Sequence, residues 1–247
     1  MASQAPNIPH IHLLCMDTRF SDAFTAARHK LQLPPSLAIT IHNCPLSEVP
    51  STVHFDTIVS PANSYGRLDG AFDDAISRVL SPRDDYLALT RVAQRRLYDR
   101  WRGFVPPGTC TLVRVPDEFA SESDNDWGVR RVALCPTMRV PDDVRWDREV
   151  VYECVWSLLC AVDGHNRAVR AGEDDGGEGQ DEIRDVLMTP LGTGVGRITP
   201  QRWAEQAVLA LKHFDEASDD PDKWSSLGWN SIEDYALEVE RTWRNGD

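Results

Sequence analysis

FDTIVSPANSYGRLDGAFDDAI, Phe55–Ile76, is the stretch whose reading decides the fold. Phe55–Ser60 is a short apolar run of the kind a buried strand needs. It stops at Pro61 in a loop that carries Asn63, Gly66 and Gly70, and a helical pattern follows through Ala75–Leu80. The same order recurs in IRDVLMTPLGTGVGRITPQRW, Ile183–Trp203. There Ile183–Thr189 reads as a strand, three glycines at alternate positions follow, and Thr199 with Pro200 marks a helix start as N-cap and first helical residue. Strand, glycine loop and helix in direct succession, twice, is the pattern of an open α/β sheet, in which ligands sit outside the carboxyl ends of the strands.

The rest of the chain fits between and around these two units. Ile11–Met16, Leu37–His42, Thr111–Val115 and Arg131–Cys135 are further strand candidates. Phe20–Leu31, Asp84–Trp101, Asp147–Val162, Pro200–Phe214 and the Trp-rich stretch Trp224–Trp243 read as helices. Strands alternating with helices over short connections predict a three-layer α/β/α domain. Two segments fall outside the alternation. Pro116–Trp127 holds five acidic residues and Ala171–Glu182 holds six, with no basic residue in either, and both read as solvated loops, the second as disordered. The 247 residues are therefore expected to form a single domain, with a core over residues 11–214, acidic loops at 116–127 and 171–182, and an extension at 222–247.

Charge excludes one class of partner. With 26 basic and 39 acidic residues the net charge is −13, which opposes a nucleic-acid polymer because phosphate neutralisation needs a basic surface. The acidity is local, however: outside the two acidic segments 28 acidic residues face 26 basic ones, a net of −2. A small anionic nucleotide held by backbone N–H groups and helix N-termini is compatible with that balance. No apolar run approaches the ~18 residues of a membrane helix. Met1–Pro9 shows no secretory pattern, so the cytosol or nucleus is expected. The six cysteines form no CxxC pair and read as buried free thiols, and the seven histidines are scattered without ligand spacing, so no metal is expected.

Each candidate residue has a functional and a plain reading. Asn63, directly after a strand, offers a donor and an acceptor to a sugar diol, or caps a turn. Gly192, Thr193, Gly194, Val195 and Gly196 allow the backbone to wrap an anion with N–H groups inward, or make a tight turn. Asp73, in the first turn of a helix, is expected to stay ionised beside the helix dipole, as a base or simply as a first-turn charge. Arg139 either reaches the cleft or forms a structural ion pair. Arg91, Arg95, Arg96, Arg100 and Arg102 form a stripe best read as a solvated face. Trp224, Trp229 and Trp243 read as packing of the terminal helix, with a partner surface as the other reading.

Taken together, Ser60–Gly70, Pro136–Arg139 (PTMR) and Gly192–Gly196 (GTGVG), in this order, resemble the macrodomain family, and the resemblance runs from about Ile11 to Phe214. It is nearest to a microbial branch with a SPANSxGxxDG first loop. It implies a mixed sheet in three layers that binds ADP-ribose between the two loops, with no cofactor. It further implies hydrolysis of an ADP-ribosyl ester on a protein or of ADP-ribose 1″-phosphate, or else a non-catalytic reader of ADP-ribose. By the same resemblance Asn63 holds the distal ribose and Asp73 orients or activates a water. Asp69, Gly70, Ala71 and Phe72 line the distal ribose and diphosphate, and Gly192–Gly196 cradle the diphosphate and proximal ribose. The family's adenine-binding aspartate has no counterpart in His42–Leu46, and Asp17 is the nearest substitute. The family's glycine triplet is Asp69-Gly70-Ala71 in this chain. The expected partner is ADP-ribose or an ADP-ribosylated protein, and the expected state a monomer. A third reading is a scaffold with a vestigial cleft whose function lies in the Trp-rich C-terminal helix.

Overall fold

A computed structural model describes residues 8–173 and 179–244. Six strands form one sheet: β1 (His10–Leu14), β2 (Ile39–His42), β3 (Thr57–Ser60), β4 (Thr111–Arg114), β5 (Arg131–Leu134) and β6 (Asp185–Met188). Their order across the sheet is β2-β1-β6-β3-β5-β4. All neighbours run parallel except the edge strand β4, which pairs antiparallel to β5, so the sheet is mixed. The helices of the described residues are α1 (Thr18–Lys30), α2 (Ala71–Leu80), α3 (Ala88–Trp101), α4 (Val150–Ala171), α5 (Pro200–Asp219), the single turn α6 (Pro221–Trp224) and α7 (Trp229–Arg244).

Side-chain alternation along the strands builds two cores. Ile11, Leu13, Val59, Ala133, Val186 and Met188 face one side and pack with α1, α4 and α5. Leu14, Ile58, Val132, Leu134 and Leu187 face the other and pack with α2 and α3. A parallel sheet covered on both faces reads as near-continuous apolar strands, which is why the short runs were recognisable without a polar–apolar alternation. α5 is buried almost all round because α1, α4 and α7 enclose it. Among the described residues no helix is long and apolar enough to cross a membrane.

Several sequence expectations change in detail. Pro116–Trp127 is not simply solvated: Asp117–Ser121 is a 3₁₀ turn, and Trp127 is buried, stacked on Phe55 with its Nε1 donating to Val49 O at 3.1 Å. The aromatic at the end of the acidic run anchors it to the core. Of Ala171–Glu182, residues 174–178 lie outside the described residues. The far end is tied down, with Asp181 Oδ2 2.6 Å from Arg130 Nη1 and Arg170 Nε donating to Glu182 Oε1 at 2.5 Å. The C-terminal stretch is two helices, not one, divided at Ser225–Gly228. Trp224 stacks on Trp156 and packs at a tilt against Tyr235, and Trp243 lies under Arg148 and donates to Glu149, so these two pack as expected. Trp229 does not: it is 76% exposed.

Candidate functional site

β3 and β6 are sheet neighbours, and the chain leaves their carboxyl ends toward opposite faces, α2 onto one core and α5 onto the other. The connections therefore diverge and open a crevice at that point, the switch point of the sheet. The loop 61–70 and the loop 189–199 form its two lips. The segment 136–144 after β5 laces them together. Thr137 N donates to Ala62 O and Ser64 N to Met138 O, while Val144 N donates to Gly196 O.

In the first lip, Asn63 is an organiser of the turn. Its Oδ1 accepts from Tyr65 N at 3.0 Å and Arg67 N at 3.4 Å, and its Nδ2 donates to Arg67 O at 2.8 Å. Leu68 is sunk into the core and pinned at both backbone groups, its carbonyl by Ser77 Oγ and its N–H by Thr90 Oγ1. Beyond it the chain enters α2 with Gly70 as an N-cap that has no side chain to offer. Among the described residues the N–H groups of Gly70, Ala71 and Phe72 have no acceptor within the protein. Ala71 holds a left-handed φ of +49°, a backbone region that favours glycine.

In the second lip, Gly192 takes φ +70° and its carbonyl accepts from Ile198 N. A Cβ on Gly196 would stand 2.4 Å from Gly192 O, so only glycine lets the loop close on itself. The N–H groups of Thr193, Gly194, Val195 and Gly196 are likewise without an acceptor among the described residues. Two runs of donors without a protein acceptor thus edge one crevice, one at the start of α2 and one in the glycine turn three residues ahead of the α5 N-cap. That is the arrangement that takes a diphosphate without any basic side chain.

Asp73 departs from the expectation of an ionised first-turn carboxylate. It is only 7% exposed, folded under the first lip with Ser60 Oγ donating to its Oδ1 at 2.7 Å. Burial pushes its carboxyl up to about 7, against the Ser60 hydrogen bond, and the charge of Asp69 adds to the rise. Desolvation outweighs the helix dipole because the group is removed from water on nearly every side. Asp69 itself is ion-paired with Arg67 at the exposed mouth of the loop. Ser60, the residue that fixes Asp73, was not singled out from the sequence; a polar residue closing an otherwise apolar buried strand was the available signal.

The remaining candidates divide. Asp17 sits at the carboxyl end of β1 but caps α1, accepting from Arg19 N, and both oxygens are engaged by Arg19, which holds its carboxyl below the usual range. Arg139 has no ion-pair partner among the described residues; its guanidinium lies 4.8 Å from the ring of Phe104, which packs against Tyr65. The exposed apolar side chains Met16, Tyr65, Val140, Trp146 and Val195 all lie on segments at this edge, and of these only Val195 was named from the sequence. A tryptophan in the mostly charged run Asp142–Glu149 was the signal for Trp146. The basic stripe behaves as a surface face, with Arg91 paired to Asp85 and Arg96 Nε donating to Leu112 O.

Metal-type ligands collect at the other end of the sheet. His10, His12 and Asp185 are the group of metal-competent side chains found among the described residues, with ligand atoms within 4.8 Å of one another. Three of the seven histidines meet in space: β1 and β2 run side by side and bring His42 to His10 and His12.

No family model and no curated protein matches the chain. Solved structures do. A macrodomain of Oceanobacillus iheyensis with MES bound is similar at 15% identity over 66% of this chain and 70% of that one, with a TM-score of 0.44. The Oceanobacillus iheyensis macrodomain with ADP is similar at 14% over 66% and 85%, TM-score 0.35, and a mutant with ADPR at 14% over 68% and 91%, TM-score 0.36. Identities and TM-scores of this size mark a distant likeness.

Proposed function

We propose that the chain binds ADP-ribose in the crevice between the loops 61–70 and 189–199. The observation that carries this reading is the pair of unsatisfied N–H runs, 70–72 and 193–196, on the two sides of a sheet switch point. A diphosphate satisfies both runs at once, which a neutral ligand does not. Asn63 shapes its lip and keeps one Nδ2 hydrogen for a ribose hydroxyl. Met16, Trp146 and Val195, on the β1–β6 side, offer apolar surface for the adenine, in place of a carboxylate acceptor. Tyr65 and Val140, on the β3–β5 side, offer it to a protein carrying the modification.

Turnover is a second reading, favoured by the carboxyl of Asp73 being pushed to about 7, where one group both gives and takes a proton near neutrality. In that reading water adds across the bond to the 1″ oxygen of an ADP-ribosyl ester or 1″-phosphate. Asp73 passes the proton from the water to the leaving oxygen. The burial of Asp73 favours the reader, in which its hydrogen bond to Ser60 only braces the lip.

Calorimetry with ADP-ribose, ADP and AMP tests the binding. A preference for ADP-ribose over ADP of more than about tenfold, ~1.4 kcal/mol, is expected, and equal affinities refute a read ribose. Turnover assays on ADP-ribose 1″-phosphate and on an ADP-ribosylated protein, with the wild type and Asp73→Asn, separate the two readings. Product from the wild type alone supports the hydrolase. Intact binding with no product from either leaves the reader.

A further inference from the structure

We propose that His10, His12 and Asp185 form a divalent transition-metal site with three protein ligands and an open fourth position, on the α2/α3 face of the sheet at its amino end. The site is remote from the crevice: Asp185 begins β6 and the second lip follows its end, about 13 Å of strand away.

His12 carries the argument. Its ring is 6% exposed, and its Nε2 has no hydrogen-bond partner. An imidazole nitrogen buried in that state is costly unless something not made of protein satisfies it. It points at Asp185 Oδ1, 3.5 Å away without hydrogen-bond geometry, and His10 Nδ1 lies 3.0 Å from the same oxygen. Ligands at 2.0–2.1 Å around a tetrahedral metal stand about 3.3–3.4 Å apart, so both separations already bracket the edge of such a site.

The outer contacts agree. The far nitrogen of each ring has a polar partner able to accept from it: His10 Nε2 is 2.9 Å from the Thr40 hydroxyl, and His12 Nδ1 is 3.0 Å from His42 Nε2. With the proton on those far nitrogens, His10 Nδ1 and His12 Nε2 both present lone pairs toward Asp185, the tautomers a metal requires. Without a cation His10 Nδ1 donates to Asp185 Oδ1, and His12 Nε2 is left without a partner. Pairing of the strands holds the ligands in place independently. His10 N donates to Arg184 O, and Asp56 Oδ2 accepts from the N–H groups of both Arg184 and Asp185. Two imidazoles and one carboxylate suit zinc, cobalt or iron(II) rather than calcium or magnesium, which take oxygen ligands. His10 and Asp185 are partly open to solvent, which leaves a water in the fourth position.

The test uses the untagged full chain, freed of metal with a chelator and then of the chelator. Titration with Zn²⁺ is expected to show one ion per chain at a dissociation constant below about 10 μM. Co²⁺ is expected to give the intense visible absorption of a four-coordinate site. His10→Ala and Asp185→Asn, both at partly exposed positions, should lose the absorption and weaken Zn²⁺ by a hundredfold or more. Thr40→Val, which removes only the acceptor behind His10, should weaken it about tenfold. Melting of the metal-free variants checks that each folds. No saturable binding by the folded wild type, or binding unchanged in folded Asp185→Asn, overturns the site.

Discussion

Asp73→Asn isolates a group whose ionisation burial and the helix dipole rank in opposite ways. In the folded chain burial raises the Asp73 carboxyl from 3.8 to about 7. The folded state then holds the proton more tightly than the unfolded one. The stability this contributes is fully present below pH 3.8 and is lost as the pH rises through about 7. At pH 8 the loss is the shift of about three units multiplied by 1.36 kcal/mol, or about 4 kcal/mol. For a chain of this size that corresponds to a fall in Tm on the order of 10 °C. Asparagine keeps an oxygen to accept from Ser60 Oγ and has no charge to desolvate. Thermal melts of the wild type and Asp73→Asn at pH 5, 6, 7 and 8 measure the difference directly. Asp56, Asp147 and Glu153, whose carboxyls are also raised by burial, are common to both proteins and cancel. The expected result is that the variant gains on the wild type steadily between pH 5 and 8. A difference that does not change with pH, or a wild type that gains on the variant, would refute the reasoning and return Asp73 to the role of an ionised first-turn charge.

Ala71→Gly is expected to raise stability by about 1 kcal/mol, because a left-handed φ costs an alanine that much and glycine nothing. Urea midpoints check it, and a loss of stability, the ordinary effect of glycine in a helix, contradicts the backbone described for the first lip. In the second lip Gly196→Ala drives a Cβ to 2.4 Å from Gly192 O and 2.8 Å from Val144 Cγ2, whereas Gly194→Ala meets nothing within 4 Å. Gly196→Ala should therefore lower the Tm by several degrees and Gly194→Ala leave it unchanged; equal effects from the two would mean that the loop does not close as described.

What was legible in the sequence was what depends on local order. β3 and β6 could be found because each is a short apolar run ended by proline or glycine, and Thr199-Pro200 marked the start of α5 to the residue. That the two glycine loops would share one crevice follows from β3 and β6 being neighbours, which the sequence implied only through family resemblance, since their strands are separated by more than 120 residues. The state of Asp73 was out of reach for a different reason. Position in the first turn of a helix is a local property and favours the charge, but burial is a tertiary one. It depends on Leu68 being drawn into the core, so that the chain bearing Asp73 lies over Ser60. The histidines show the same division. His10 and His12 alternate onto one face of β1, which the spacing does contain. His42 and Asp185 join them only because β2 and β6 flank β1 on either side in parallel register, Leu14 beside His42 and His10 beside Asp185. A cluster assembled by strand order carries no ligand spacing in the chain, so the absence of a spaced motif says nothing about whether the ligands meet. The same argument bears on the crevice. Its donors are backbone N–H groups, which every residue but proline possesses, and what selects the seven at 70–72 and 193–196 is that the fold leaves them without acceptors. Net charge is therefore a poor guide to anion binding in this chain: the acidic residues that dominate it lie largely on 116–127 and 171–182, and the groups that would hold a diphosphate are counted in no charge balance.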